Sequence, residues 1–269
     1  MPIWSWFGIK SGIVTTSWPE GPGAHGQQGV LGLPRHDAAK CTAAQDGCSD
    51  CVAVCPAGAI AAQPGQPAAL DYARCVGCQL CTESCPTGAF SISHDWAFGV
   101  RDRADLRTFP ATGVTPELET SFTAELAAFG NSLHIRHVDA GSCNGCESEL
   151  QALLNPFYNL HRLGIFFTPS PRFADLLLVT GPVTAAMYEP LLRTWEAMPQ
   201  PRWVMALGTC ATGGGTNGGG YACHDGLEGI LPVDVWLPGC PPNPAAIIEA
   251  LLMLLCRRPQ HVHGGRHES

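Results

Sequence analysis

Cys75-Val-Gly-Cys78-Gln-Leu-Cys81-Thr-Glu-Ser-Cys85-Pro86 is the stretch whose reading decides the rest of this chain. Its thiols are separated by two, two and three residues, and it closes on Cys-Pro followed by a Gly-Ala turn. Upstream, Cys41, Cys48, Cys51 and Cys55-Pro56 repeat the pattern, with a first interval of six residues in place of two. The second half also ends in Cys-Pro and a Gly-Ala turn, so an internal repeat predicts a pseudo-twofold module of about 60 residues. Around it the 269 residues carry 14 cysteines, eight from Cys41 to Cys85 and six from Cys143 to Cys256. Residues 1–18 have no basic start, clean apolar run or small-residue cleavage site, so the expected compartment is reducing. There, such cysteine density means metal binding rather than disulfides.

Composition excludes several classes. Charged residues are 14% of the chain, below the roughly 25% of a typical soluble domain, which predicts a surface largely covered by other subunits. A formal net charge of −8 argues against nucleic acid as a partner, because tracking phosphates needs excess Lys and Arg. The longest apolar run, Ala245 to Cys256, is broken by Glu249 and falls far short of the ~20 residues of a spanning helix.

The Cys75–Cys85 spacing matches the bacterial ferredoxin run that ligates [4Fe–4S] clusters, in which the fourth cysteine reaches the neighbouring cluster. With that crossover, one cluster takes Cys41, Cys48, Cys51 and Cys85, and the other takes Cys75, Cys78, Cys81 and Cys55. The competing reading is a pair of zinc sites, since Cys-x2-Cys also binds zinc. Zinc sites rarely use the third cysteine, the three-residue step and the Cys-Pro together.

Downstream, LHIRHVDA, ADLLLVTGP, RWVMALGTC and VDVWLPGC have strand character. Helical stretches are predicted near Glu147–Leu154, Pro182–Ala197 and Pro244–Leu255. Apolar strands alternating with helices imply an α/β fold with a largely parallel sheet covered on both faces. Sites in such sheets form at the carboxyl ends of strands. The expected organisation is an N-terminal docking arm (1–35), the two-cluster module (36–95), a linker (96–131), the α/β domain (132–258) and a tail (259–269). The linker is expected to carry a helix at Pro116–Phe129, capped by Thr115.

Four cysteines lie in segments suited to one site: Asp139-Ala-Gly-Ser-Cys143-Asn-Gly-Cys146-Glu147, Gly208-Thr-Cys210 and Pro238-Gly-Cys240-Pro-Pro. Glycine beside a ligand admits close backbone approach and N–H donors to sulfur. From about His134 to Leu255 the chain resembles the small subunit of [NiFe] hydrogenases and its complex I counterpart. The segments that carry this are VDAGSCNGCESE, PSPRFADLLLVTGPVT, the GTC loop and VDVWLPGCPPNP. The similarity is strongest to the membrane-bound, energy-converting group that includes formate hydrogenlyase. Residues 1–95 resemble the two-cluster ferredoxin-like subunit of the same complexes, including IKSGIVTTSWP. The Cys-x2-Cys pair at Cys143 and Cys146 departs from the adjacent tandem cysteines of respiratory complex I.

The resemblance implies a flavodoxin-like fold for the second domain and a third, proximal [4Fe–4S] cluster on Cys143, Cys146, Cys210 and Cys240. It implies an electron-transfer subunit with no catalytic centre of its own, serving a hydrogenase-type large subunit and integral-membrane subunits. Formate dehydrogenase, CO dehydrogenase or a soluble ferredoxin would act as donor. The location implied is cytoplasmic, attached peripherally to the cell membrane through the complex. The alternative is a complex I-related, quinone- or ferredoxin-linked oxidoreductase lacking a nickel site. Three oxidised clusters, each about −2 with its thiolates, would take the formal charge from −8 to roughly −14.

Other residues have plainer readings. Cys223 is expected to be a spare thiol, and Cys256 a small buried residue inside the last helix. The run from Gly213 to Gly220 lacks a Gly-Lys-Ser/Thr ending and is not a phosphate loop. Glu147, at a helix start where an acid is favoured, is a candidate proton relay by its position in the resembling family. His261, His263 and His267 are read as a solvated tail. Trp4, Trp6, Phe7 and Trp18 suit docking on a membrane subunit, the lipid interface, or packing on the chain's own module.

Overall fold

Proline after the last cysteine of each repeat dictates where two of the module's helices stop. In the computed structural model, which describes residues 2–12, 16–21, 23–108, 132–258, 260, 262–263 and 266–267, an exposed helix α1 (Ile3–Ser11) comes first. The module follows, with helices α2 (Ala43–Asp46), α3 (Asp50–Val54) and α4 (Leu80–Ser84). The residue before proline is pushed out of the helical region. Accordingly α3 ends at Cys55 (ψ 107°) and α4 at Cys85 (ψ 111°), and the two helices pack against each other. Two antiparallel pairs close the module: β1 (Arg35–His36) with β4 (Phe90–Ser91), and β2 (Ile60–Ala61) with β3 (Ala69–Leu70). The extra residues between Cys41 and Cys48 are taken up by the single turn of α2. Gly47 ends that turn at φ 73°, and the Cys48 N–H donates to Asp46 Oδ1 at 2.9 Å.

The second part is a five-stranded parallel sheet: β5 (Leu133–Asp139), β6 (Ile165–Phe167), β7 (Leu176–Thr180), β8 (Trp203–Leu207) and β9 (Val235–Leu237). Strand order is β6-β5-β7-β8-β9, the doubly wound arrangement of a flavodoxin-like domain. Every residue of β7 and β8 is buried, as continuous apolar strands in the middle of such a sheet require. Helices α5 (Gly145–Ala152), α6 (Ala185–Glu196), α7 (Thr209–Gly213) and α8 (Pro244–Leu254) connect and flank them. Asn243 caps α8 by accepting the Ala246 N–H at 2.8 Å, with Pro244 in the first turn. Glu249, the one acid in that buried helix, is paired with Arg258 at 2.7 Å.

Because strand side chains alternate between faces, the sheet has two cores. Ile135, Leu178, Met205 and Leu237 pack with α8. Val138, Leu177, Val179 and Ala206 join Leu70, Tyr72, Phe98, Val100 and Leu106 in the other. The module and the segment after it therefore share a core with the sheet. Val100 extends the sheet by an antiparallel bridge to Trp236, with N–H···O distances of 3.0 and 2.8 Å.

Several expectations are corrected. Strand β6 (Ile165–Phe167) adds an edge strand beside β5, outside the four apolar runs. Helix α6 begins at Ala185, because Val183 has φ 59° and Thr184 is extended. Cys256 is not buried inside α8: it is exposed, lies past the helix end at φ 52°, and its sulfur accepts a hydrogen bond from Arg101 Nη2 at 3.4 Å. The N-terminal aromatics divide: Trp4, Trp6 and Phe7 are exposed on α1, whereas Trp18 is buried in the α8-side core, edge-on to Trp96 at 6.3 Å. The helix expected at Pro116–Phe129 and its cap Thr115 lie outside the described residues, as does His261. His263 and His267 lie in a short antiparallel pair, Val262–His263 with Arg266–His267. Among the described residues no helix is long and apolar enough to cross a membrane.

Candidate metal centres

The repeat brings its cysteines together in crossed groups. Cys51, within α3, has the ionisable thiols of Cys41, Cys85 and Cys48 as its neighbours. Cys81, within α4, has those of Cys75, Cys78 and Cys55. Burial first, then mutual repulsion, pushes Cys51 up to about 11 and Cys81 up to about 12. Cys75 is also raised to about 12, chiefly by burial, with the Gly77 N–H pulling the other way. Cys85 runs against the trend: burial raises it, but hydrogen bonding by the backbone of Phe90, Thr87 and Ala89 and by the Thr87 hydroxyl outweighs this and lowers it. Backbone N–H groups of Ala59 and Ala68 approach Cys55 Sγ at 3.2 Å and Cys41 Sγ at 3.4 Å. Such donors suit sulfurs that carry charge.

Four of the other six cysteines meet at the carboxyl ends of β5, β8 and β9. Cys143 is in the loop after β5 and Cys146 in the first turn of α5; Cys210 is in α7 and Cys240 follows β9. Cys146 is raised by burial, then by the Glu147 carboxylate and by Cys210, Cys240 and Cys143. Cys210 is pushed up to about 11 by burial and by Cys240 and Cys143. Two glycines make the enclosure possible: a Cβ on Gly208 would stand 2.6 Å from Cys146 Sγ, and one on Gly215 3.1 Å from Cys210 Sγ. Cys143 and Cys240 are exposed, so this group opens to the surface. Cys223 lies apart, its backbone bridged to Thr184.

Glu147 is held beside the third group. Ser142 Oγ donates to it at 2.6 Å, and Thr180 Oγ1 donates to its other oxygen. His137 Nε2 is 2.9 Å from that threonine hydroxyl and 3.6 Å from the carboxylate. Burial holds His137 below its ordinary value, against the pull of Glu147 and Asp139.

The donor sets fit polynuclear iron–sulfur groups better than single ions. Among the described residues no three Cys, His, Asp or Glu side chains gather tightly enough to share one metal ion. A zinc site draws its thiolates to about 2.3 Å from one atom. Here the thiols of each set of four lie near enough to influence one another's ionisation without gathering tightly enough for a single ion. Bound there, a [4Fe–4S] group supplies reversible one-electron chemistry.

Thiols must lose their protons to bind iron, so reconstitution in weak buffer near pH 7 is expected to release protons as iron enters. A pH indicator reads this directly, and no release would mean the thiols were already ionised. The folded, iron-free chain holds Cys51, Cys75 and Cys81 neutral above the ordinary 9.0. Their contribution to stability is complete below that value and lost as pH rises from 9.0 towards about 12. Melting curves of iron-free protein should fall across that window, and a flat profile would contradict the burial of these sulfurs.

Thr209, Thr212, Ser142 and Thr180 were missed as site residues. The signal was present for two of them, since Gly-Thr-Cys-Ala-Thr-Gly sets hydroxyls three apart around Cys210.

Comparison with known proteins finds a match for each of the two parts of the chain. The NADH ubiquinone oxidoreductase, 20 Kd subunit, family matches residues 143–254, and the 4Fe-4S dicluster domain matches residues 34–92. Formate hydrogenlyase subunit 7 of Escherichia coli (strain K12) is 45% identical over 132 residues, which are 49% of this chain and 52% of that protein. This chain therefore spans about half the length of that relative. The probable membrane-bound hydrogenase subunit mbhJ of Pyrococcus furiosus is 42% identical over 142 residues, covering 52% of this chain and 85% of that one. A chain of the membrane-bound sulfane sulfur reductase (MBS), an archaeal respiratory membrane complex, is 36% identical with a TM-score of 0.43, over 48% of this chain and 72% of its own. With a dicluster domain ahead of it, the sheet domain and its cysteines make this chain a member of the family of the NADH ubiquinone oxidoreductase 20 Kd subunit and its membrane-bound hydrogenase counterparts.

Proposed function

We propose that the chain is the electron-transfer subunit of a membrane-bound, hydrogenase-type complex, similar to formate hydrogenlyase. It holds three [4Fe–4S] groups and has no catalytic centre of its own. Cys41, Cys48, Cys51 and Cys85 hold one group, and Cys75, Cys78, Cys81 and Cys55 the second. Cys143, Cys146, Cys210 and Cys240 hold the third. The observation that carries this reading is the gathering of twelve thiols into three neighbourhoods, with Cys240 close enough to Cys75 to raise its pKa.

The residues divide the work. Buried thiols and backbone donors fix the groups, and the third stays open to the surface at Cys143 and Cys240. The exposed Cys143 and Cys240 mark the face on which a large subunit with the active site docks. Glu147, positioned by Ser142 and Thr180, takes up and releases a proton beside the third group. Integral-membrane subunits anchor the assembly, so this chain is attached peripherally at the cytoplasmic side of the membrane. Formate dehydrogenase, CO dehydrogenase or a ferredoxin supplies or receives electrons at the module.

Purifying the chain with its natural neighbours tests this. Hydrogen-dependent reduction of its iron, with nickel in a co-purifying large subunit, is the expected result. A nickel-free large subunit with quinone- or ferredoxin-linked reduction would replace the hydrogenase reading with the complex I-type one. A chain that purifies alone and iron-free would contradict both.

A further inference from the structure

Where the module meets α7, the contact is made by hydroxyl groups. Thr209 Oγ1 donates to the Cys75 carbonyl at 2.9 Å and accepts the Gly239 N–H at 3.1 Å. Thr212 Oγ1 donates to the Ala73 carbonyl at 2.8 Å. Both threonines are buried, at 1% and 0% exposure. They stand three apart on one helix face, and their acceptors stand two apart in the segment entering the Cys75–Cys85 run. Gly213 lets the surfaces approach this closely, since a Cβ there would lie 2.6 Å from the Ala73 oxygen and 2.9 Å from Arg74 Cγ. Arg103 secures the outer edge: its Nε donates to the Thr212 carbonyl at 3.0 Å, and its guanidinium reaches Asp71 at 3.5 Å and Glu228 at 3.3 Å.

Elsewhere the joint combines apolar packing of Phe98 and Val100 with the backbone bridge from Val100 to Trp236 and an Arg101 Nη2 bond to the Met253 carbonyl at 2.6 Å. Apolar packing glues two surfaces without choosing a register, whereas buried hydroxyl–carbonyl bonds impose one and are costly to break. The register imposed here involves three thiol-bearing segments at once. Thr209 precedes Cys210, its acceptor belongs to Cys75, and its donor Gly239 precedes Cys240.

We propose that Thr209, assisted by Thr212, is a positioning residue that fixes the Cys75 segment against the Cys210 and Cys240 segments, and thereby sets the magnetic and electronic coupling between the second and third iron–sulfur groups. This rests on the three-group reading above. In a chain that joins the dicluster domain and the sheet domain in one polypeptide, the clamp does what a subunit interface would otherwise have to do.

The test compares Thr209→Val, which keeps the shape and loses the donor, with Thr209→Ser, which keeps the donor, in the full chain after iron loading. Iron content is read first, then the spin–spin splitting in the EPR spectrum of the fully reduced protein. Thr209→Val is expected to keep the wild-type iron content and shift or lose the splitting, and Thr209→Ser to restore it. Thr212→Val, one turn away, should shift the splitting in the same direction and serves if Thr209→Val fails to fold. Unchanged splitting in the valine variants, or equal changes in the valine and serine variants at position 209, would overturn the clamp while leaving the three-group reading intact. A wild-type chain with signals from only two groups would instead overturn that reading, and the clamp with it.

Discussion

Cys146→Ser is expected to remove about four of about 12 iron atoms from the chain, with one EPR species, while the module keeps its iron. Cys146 stands in the first turn of α5, between Glu147 and the other three thiols of its group. A serine hydroxyl is a harder and more weakly acidic ligand than a thiol, and iron–sulfur groups select soft thiolate ligands. No thiol of the module lies among the charged neighbours of Cys146. Loss should therefore stay local, and partner-linked electron transfer should stop although two groups remain. Colorimetric iron and EPR of the reduced variant check this. Full iron retention would remove Cys146 from the ligand set, and loss of all iron would show that the groups assemble as one unit.

Gly208→Ala should produce nearly the same deficit without replacing a ligand. Gly208 sits at φ 89° and ψ 156°, which a residue with a side chain adopts only at a cost of about 1–3 kcal/mol. Its new methyl would also lie 2.6 Å from Cys146 Sγ, inside the space the third group needs. A lower melting temperature together with a one-third iron deficit is expected. Gly220→Ala is the control, since its Cβ would meet nothing closer than 3.9 Å and should change neither quantity. Normal iron in Gly208→Ala would mean that Cys146 does not point into the group.

Much of this architecture was legible in the chain, because it follows from local rules. Cys-Pro ends α3 and α4 for a steric reason that acts on neighbouring residues alone. The apolar runs of β7 and β8 announce central strands because both their faces are covered. The three-residue β6 has no such signature: at the sheet edge only Ile165 is buried, and Phe166 is exposed. Cys256 was misplaced because the apolar run Ala245–Cys256 outlasts its helix. The helix stops when Cys256 turns to φ 52° and the Arg257 N–H caps the Leu252 carbonyl at 2.9 Å, a termination set by backbone geometry. Trp18 was divided from its aromatic neighbours by tertiary packing. The hydroxyl clamp was hidden for a related reason: Thr209 and Thr212 were visible, but their partners lie more than 130 positions away.

Quantitative iron, zinc and labile-sulfide analysis of the anaerobically purified chain, with an EPR spin count after full reduction, bears most directly on the account. About 12 iron atoms and three reducible species per chain are expected. Zinc in place of iron, or eight iron atoms with no species lost in Cys146→Ser, would contradict it.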